Sequence, residues 1–192
     1  MELKIQTHNQ VYEPAEDSYL LAENLSVKKG DLVLDVGTGT GIQALTAASK
    51  AKKVLAVDIN PHALAVAGKN AEINKIKNIE LRKSNLFSKI KPKEKFDLII
   101  FNPPYVPSDE KDLLGKAWAG GEDGRIVIDK FIKQAPLYLK PGGRINLLVS
   151  SLNKPDEVVA ALEKKKLKVL ITARQKLFFE ELLVLKAAKQ ER

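Results

Sequence analysis

The chain has no cysteine, one methionine, one tryptophan and two histidines among its 192 residues. Without cysteine there is neither a disulfide framework nor a thiolate metal centre, and His8 and His62 are the only imidazoles left to bind metal. No metal site is expected, and neither histidine has an identifiable partner nearby in sequence. No apolar run approaches the roughly 20 residues that a membrane span needs. Met1-Glu2-Leu3-Lys4 does not open a signal peptide, so the chain reads as cytoplasmic. Low-complexity stretches are also missing. With 44% hydrophobic and 29% charged residues, the composition is that of a folded protein. The length suits one domain over residues 1–192, with 1–13 as a lead and 186–192 as a frayed tail.

Charge is the one compositional excess. A net charge of +8 admits a nucleic-acid partner, an acidic protein surface or a ribosome-associated substrate. The cations are dispersed, however: Lys50, Lys52 and Lys53, then Lys75 and Lys77, then Lys89 to Lys95, then Lys164 to Lys166. That spacing describes a solvated surface and supports RNA only weakly. Abundant Lys and Glu, with no cysteine and one methionine, also fit a heat-adapted protein.

Apolar periodicity orders the elements. Pro14 to Leu25 reads as a helix, with Glu16 and Asp17 placed where the helix dipole favours negative charge. Strand Leu32 to Val36, helix Ile42 to Ser49, strand Val54 to Asp58 and a helix capped by Asn60 with Pro61 behind it follow. Ile79 to Arg82 is a third strand. Phe96 to Phe101 is a fourth, apolar almost throughout as central parallel strands are. After a loop with Gly120, Gly121 and Gly124, a helix carries Ile128, Phe131, Ile132, Ala135 and Leu139 on one face, and Pro136 should bend or end it. Lys140-Pro141-Gly142-Gly143 turns into strand Arg144 to Val149, and Pro155 to Glu163 is a further helix. Leu167 to Ala173 and Phe178 to Leu185 are too close for a crossover and should pair antiparallel. The alternation predicts an open α/β sheet with helices on both faces.

Two turns carry chemistry. Val33-Leu34-Asp35-Val36-Gly37-Thr38-Gly39-Thr40-Gly41 is a strand, a glycine turn and a helix start, which lets a ligand approach the backbone at a positive helix end. Ile42 stands where a nicotinamide fingerprint has its last glycine, and the carboxylate of Asp35 would repel pyrophosphate. A P-loop is excluded because no Gly-Lys-Ser or Gly-Lys-Thr follows. An acid there suits a ligand carrying an ammonium and a sulfonium. Asp58 ends the second strand where ribose-binding acids sit, although capping the next helix is its plain alternative. The two acids and three glycines point to S-adenosylmethionine, with its adenine near Asn85 and Leu86.

The second turn is Asn102-Pro103-Pro104-Tyr105. The prolines hold Asn102 and Pro103 extended, so the Asn102 side-chain oxygen and the Pro103 carbonyl can accept both hydrogens of one planar NH2 group while Tyr105 stacks on the attached π system. An ordinary proline turn closing a strand has the same composition.

These residues together resemble the HemK-like class I methyltransferases, and more narrowly the archaeal and eukaryotic branch that methylates a release-factor glutamine. The resemblance rests on Val11-Tyr12-Glu13-Pro14-Ala15-Glu16-Asp17-Ser18, the Asp35 to Gly41 turn, Asp58-Ile59-Asn60-Pro61, Asn102-Pro103-Pro104-Tyr105-Val106 and Ala117-Trp118-Ala119-Gly120-Gly121. It implies a Rossmann-like sheet of seven strands, mostly parallel with an antiparallel last strand. It implies a cofactor pocket of Ser18, Asp35, Gly37, Gly39, Asp58, Asn85, Leu86 and Asn102, an acceptor site of Asn102, Pro103, Pro104 and Tyr105, and methylation at N5 of the glutamine in a Gly-Gly-Gln motif. Asn85 departs from the family's usual acid, and its carbonyl can still accept from an adenine amino group. Trp118 reads either as a lip over the substrate or as a core ring. The branch further implies a small zinc-binding activator on the third strand, the expected sheet edge, as a heterodimer partner. Methylation of an exocyclic base amine, after base flipping, and a non-catalytic cofactor-binding subunit remain alternatives.

Overall fold

Two strands, β1 (Leu32–Val36) and β4 (Phe96–Phe101), lie side by side at mid-sheet because both of their faces are apolar and need cover. This computed structural model describes residues 3–105 and 124–189. From β1 the chain moves outward through α2 (Ile42–Ala48), β2 (Lys53–Asp58), α3 (Pro61–Ile73) and β3 (Ile79–Lys83). It then returns to β4 and moves the other way through α4 (Ile126–Gln134), β5 (Leu139–Ser150), α5 (Pro155–Glu163), β6 (Leu167–Lys176) and β7 (Glu181–Lys189). The strand order is β3-β2-β1-β4-β5-β7-β6. β3, β2, β1, β4 and β5 run parallel, and β7 inserts antiparallel between β5 and β6. Right-handed crossovers in opposite directions place α2 and α3 on one face and α4 and α5 on the other. The first helix, α1 (Glu16–Glu23), packs on α2. Reversal of direction between β1 and β4 opens a crevice at their carboxyl ends, where open α/β sheets hold ligands.

The expected elements are present, with instructive shifts. Pro14 and Ala15 stay extended, so α1 starts at Glu16. Pro136 ends α4, and Ala135–Tyr138 continues as a 3-10 turn that still buries Ala135 and Leu139. The Lys140 to Gly143 turn is a bulge inside β5, whose pairing with β4 jumps from Leu139 to Arg144. Residues 186–189, expected as part of a frayed tail, are paired: Lys186 faces Asn146 and Leu170, and Ala188 faces Arg144 and Lys168. Phe178 and Phe179, expected inside the last strand, instead form the tip of the hairpin before it. The loop with Gly120, Gly121 and Trp118 lies outside the described residues.

Two asparagines one helical turn apart on α3 clasp the N-terminal lead as a neighbouring strand would. Asn74 accepts from Lys4 N at 2.9 Å and donates to Lys4 O at 2.8 Å. Asn70, fully buried, accepts from Gln6 N at 2.8 Å and donates to Gln6 O at 3.0 Å and to Thr40 O at 2.9 Å. The lead, α3 and the glycine turn are therefore tied through one side chain. Truncating Asn70 to Ala leaves several of these backbone groups unpaired, an expected loss of about 2–3 kcal/mol. Urea unfolding should show it, together with faster proteolysis before residue 14; an unchanged midpoint would refute the clasp.

Candidate active site

The crevice is a cavity of about 420 Å³, within the usual range for a small-molecule site, floored by the glycine turn and walled by α1, the end of β2, the turn after β3 and the Asn102 to Tyr105 segment. Gly37 and Gly39 both have positive φ, 65° and 54°. A Cβ on Gly39 would meet nothing within 4 Å, whereas one on Gly41 would stand 3.1 Å from Ala67 Cβ. The turn is thus open toward the cavity and tight against α3 behind. Leu86, a non-glycine residue at φ 46°, sits in the opposite wall with Asn85, an arrangement that costs about 1–3 kcal/mol. Ser84 holds it by donating to the Leu86 carbonyl at 2.8 Å.

Of the sequence-nominated residues, Ser18, Gly37, Gly39, Asp58, Asn85, Leu86, Asn102, Pro103, Pro104 and Tyr105 all line this one cavity. Asp35 does not. It is 1% exposed beneath the turn, where Oδ2 accepts from Thr38 Oγ1 at 2.6 Å and Oδ1 has no partner among the described residues. Trp118 falls outside the described residues.

The end of β4 presents Asn102 to α1. Its Nδ2 donates to Asp17 Oδ2 at 2.9 Å and lies 3.4 Å from Ser18 Oγ. A carboxylate can only accept, so the amide nitrogen must face Asp17 and the oxygen must face away from it. Asn102 Oδ1 is buried and has no hydrogen-bond partner among the described residues. Asp17 is itself fixed by Tyr12 OH at 3.1 Å and Ser18 N at 2.6 Å. Tyr105 is pinned from the other side: Asn153 donates to its carbonyl at 2.8 Å, and a Cβ on Gly124 would stand 2.2 Å from that oxygen. Asp17 and Asn153 are the residues that sequence reasoning missed. Asp17 was visible only as a favourable first-turn acid, and the partner of Asn153 is 48 residues away.

The wall is rich in acceptors. Gln43 donates to Ser18 O at 2.8 Å, which leaves its buried Oε1 without a partner among the described residues, as are Thr40 Oγ1 and Asp35 Oδ1. Asp58 takes hydrogen bonds from Gly39 N at 3.0 Å and Asn60 N at 2.8 Å, and burial still pushes its carboxyl above the usual range. Burial, aided by the nearby Asp58 charge, pushes Asp35 up to about 7 against the Thr38 hydrogen bond. Among the described lining residues Lys130 is the one cation. Acids and orphaned acceptors with a single cation suit a positively charged ligand that brings donors.

Three comparisons fit this geometry. Residues 2–179 match the methyltransferase small domain family. A Methanocaldococcus jannaschii protein assigned as an N5-glutamine methyltransferase is 45% identical, covering 96% of this chain and 95% of its own. The human methyltransferase HEMK2 is 34% identical, covering 93% and 90%. Among solved structures, the E. cuniculi Mtq2–Trm112 complex, described as responsible for methylation of the eRF1 translation termination factor, superposes with a TM-score of 0.75 at 31% identity, covering 94% of this chain and 99% of that one.

The raised Asp35 carboxyl has a consequence for stability. Below about pH 4 native and unfolded chains both hold its proton; between about 4 and 7 only the native state does, so this group's contribution falls as pH rises through that window and is then constant. The Asp35→Asn variant should therefore gain on the wild type by a few kcal/mol from pH 4 to pH 7. Paired denaturation curves test this, and a constant difference would show that Asp35 is ionised throughout.

Proposed function

Since the chain belongs to the methyltransferase small domain family, and within it to the HemK-like protein-glutamine methyltransferases, we propose that it methylates N5 of the glutamine in the Gly-Gly-Gln motif of a peptide-chain release factor. S-adenosylmethionine, when bound, supplies an activated methyl group on a sulfonium. The residues present fit it: Gly37 and Gly39 admit close approach, Asp58 offers carboxylate oxygens to ribose hydroxyls, Asn85 and Leu86 flank the place for the adenine, and the orphaned oxygens of Thr40 and Gln43 suit an ammonium. Asp35 acts at one remove through Thr38.

The observation that carries the reading is the orientation of Asn102. With Nδ2 held by Asp17, its free Oδ1 can accept one hydrogen of a planar amide, and the Pro103 carbonyl is assigned the other. An amide nitrogen is a poor nucleophile because its lone pair is delocalised, so fixing the NH2 group in place is the main contribution open to these side chains. Methyl transfer would form a C–N bond at the expense of the donor's C–S bond, and the nitrogen would shed one proton; no side chain here is assigned as its base. Tyr105 stacks on the amide plane. The enzyme is placed in the cytoplasm with its translation-factor substrate.

A small zinc-binding activator protein is assigned to the edge of β3. Supporting this are the partnered relative and the position of β3, which pairs with β2 on one side and keeps Ile79 and Leu81 half-buried. Glu80 and Arg82 form a linked charge network along that strand: Glu80 pairs with Lys53 and with Arg82 at 2.6 Å each, and Arg82 holds Glu94 through two hydrogen bonds at 2.9 and 3.0 Å.

Asn102→Ala should cut turnover by about 100-fold or more while S-adenosylmethionine affinity stays within a few-fold. Asp17→Asn, which frees the Asn102 amide to flip, should lower kcat more than KM. Full activity of either variant on labelled release factor would overturn the assignment, and transfer to ribosomal RNA alone would overturn the substrate. Co-expression with the activator should raise soluble yield and activity; a lone chain already soluble and fully active would remove the partner.

A further inference from the structure

Phe178 and Phe179 are 91% and 87% exposed, the most exposed large apolar side chains among the described residues. They form the two-residue loop of the β6–β7 hairpin, closed by Leu177 N donating to Glu180 O at 2.8 Å. Their rings meet edge-on at 4.6 Å, and neither joins the hydrophobic core. Neither ring residue takes the left-handed backbone that would select a particular side chain, so the loop's geometry does not call for two phenylalanines.

The tip stands on the rim of the active site. Glu181 N, next to the loop, donates to Ser151 Oγ at 3.0 Å, and two residues on Asn153 holds the Tyr105 carbonyl at 2.8 Å. Leu152, between them, is 44% exposed. The tip is thus joined to the Tyr105 end of the acceptor turn through Glu181, Ser151 and Asn153, with Leu152 exposed between them. Charge near the tip is mixed, with Arg174 paired to Glu181 at 3.0 Å, and does not suit a phosphate backbone.

We propose that Phe178 and Phe179 are an anchor for the folded acceptor protein, seated in an apolar recess beside the loop that carries its target glutamine. This rests on the protein-substrate reading. A glutamine side chain has too few atoms to supply the affinity and selectivity of a protein substrate, so contacts outside the cavity must, and exposed aromatic pairs are the usual anchors of such contacts. The position fits that demand: it is close enough to act on the same polypeptide and far enough to leave the cofactor pocket alone.

The test compares wild type, Phe178→Ser/Phe179→Ser and Phe178→Leu/Phe179→Leu on intact release factor and on ribosomal RNA, with S-adenosylmethionine binding followed by calorimetry. For the serine pair a KM for release factor at least tenfold higher is expected, with kcat and cofactor Kd within twofold and an unshifted Tm; the leucine pair should recover most of the loss. Release factor labelled by wild type and the serine pair with equal KM overturns the anchor and leaves the function standing. Label appearing on RNA and not on release factor, even with wild type, overturns both.

Discussion

The hydrogen bond from Asn102 to Asp17 decides what the rest of the site can do. An asparagine at a strand end is a donor or an acceptor according to which way its amide faces, and two faces of similar shape differ little in packing. Opposite a carboxylate, only one remains. Much of the surrounding structure serves to hold that carboxylate still. Tyr12 and the Ser18 amide fix its other oxygen, Gln43 ties α1 to α2 through the Ser18 carbonyl, and α2 begins at the glycine turn. The acceptor-facing oxygen and the cofactor-facing turn are thereby set by one connected body.

That body is electrostatically unfinished. Each buried acceptor without a partner costs about 1–3 kcal/mol, and four of them, on Asp35, Thr40, Gln43 and Asn102, gather in or directly behind one cavity wall. Burial of Asp35 and Asp58 adds to the same side of the balance. Ligands that bring donors and positive charge recover this cost, so binding and folding stability are linked: the site that is least satisfied when empty gains most when filled. Strain at Leu86 belongs to the same pattern, since a left-handed non-glycine residue persists only where its surroundings hold it.

How far this was legible in the sequence follows from the range of each interaction. The sheet could be read because β1 and β4 are apolar on both faces and because Asn60-Pro61 announces α3 with a cap and a first-turn proline. The glycine turn and the Asn102 to Tyr105 turn could be read because their special backbone is written in adjacent residues. That Asp35 lies under the turn and outside the cavity lining could not be read, because position in a strand does not say which side of the turn a side chain takes, and Thr38 draws it underneath. Asn153 was invisible because its role lies wholly in a contact with Tyr105 across the fold. The end of the chain was shifted by three residues because Phe178 and Phe179 have the composition of a strand and the exposure of a tip.

The last of these misreadings bears on specificity. The pair of acceptors proposed on Asn102 and Pro103 would not distinguish a glutamine amide from a base amine, since both present two hydrogens in one plane. Discrimination must therefore come from surfaces that meet what surrounds the NH2 group. On one edge of the sheet β3 offers unpaired backbone to a strand; on the rim beside Tyr105 the β6–β7 hairpin offers two aromatic rings that folding does not use. Aromatic side chains in water are expensive in solubility and contribute nothing to this core, whereas a polar pair would close the same loop as well. The proposed contact with the substrate protein would give them a use, since that protein is a surface that must arrive near the acceptor turn in every turnover.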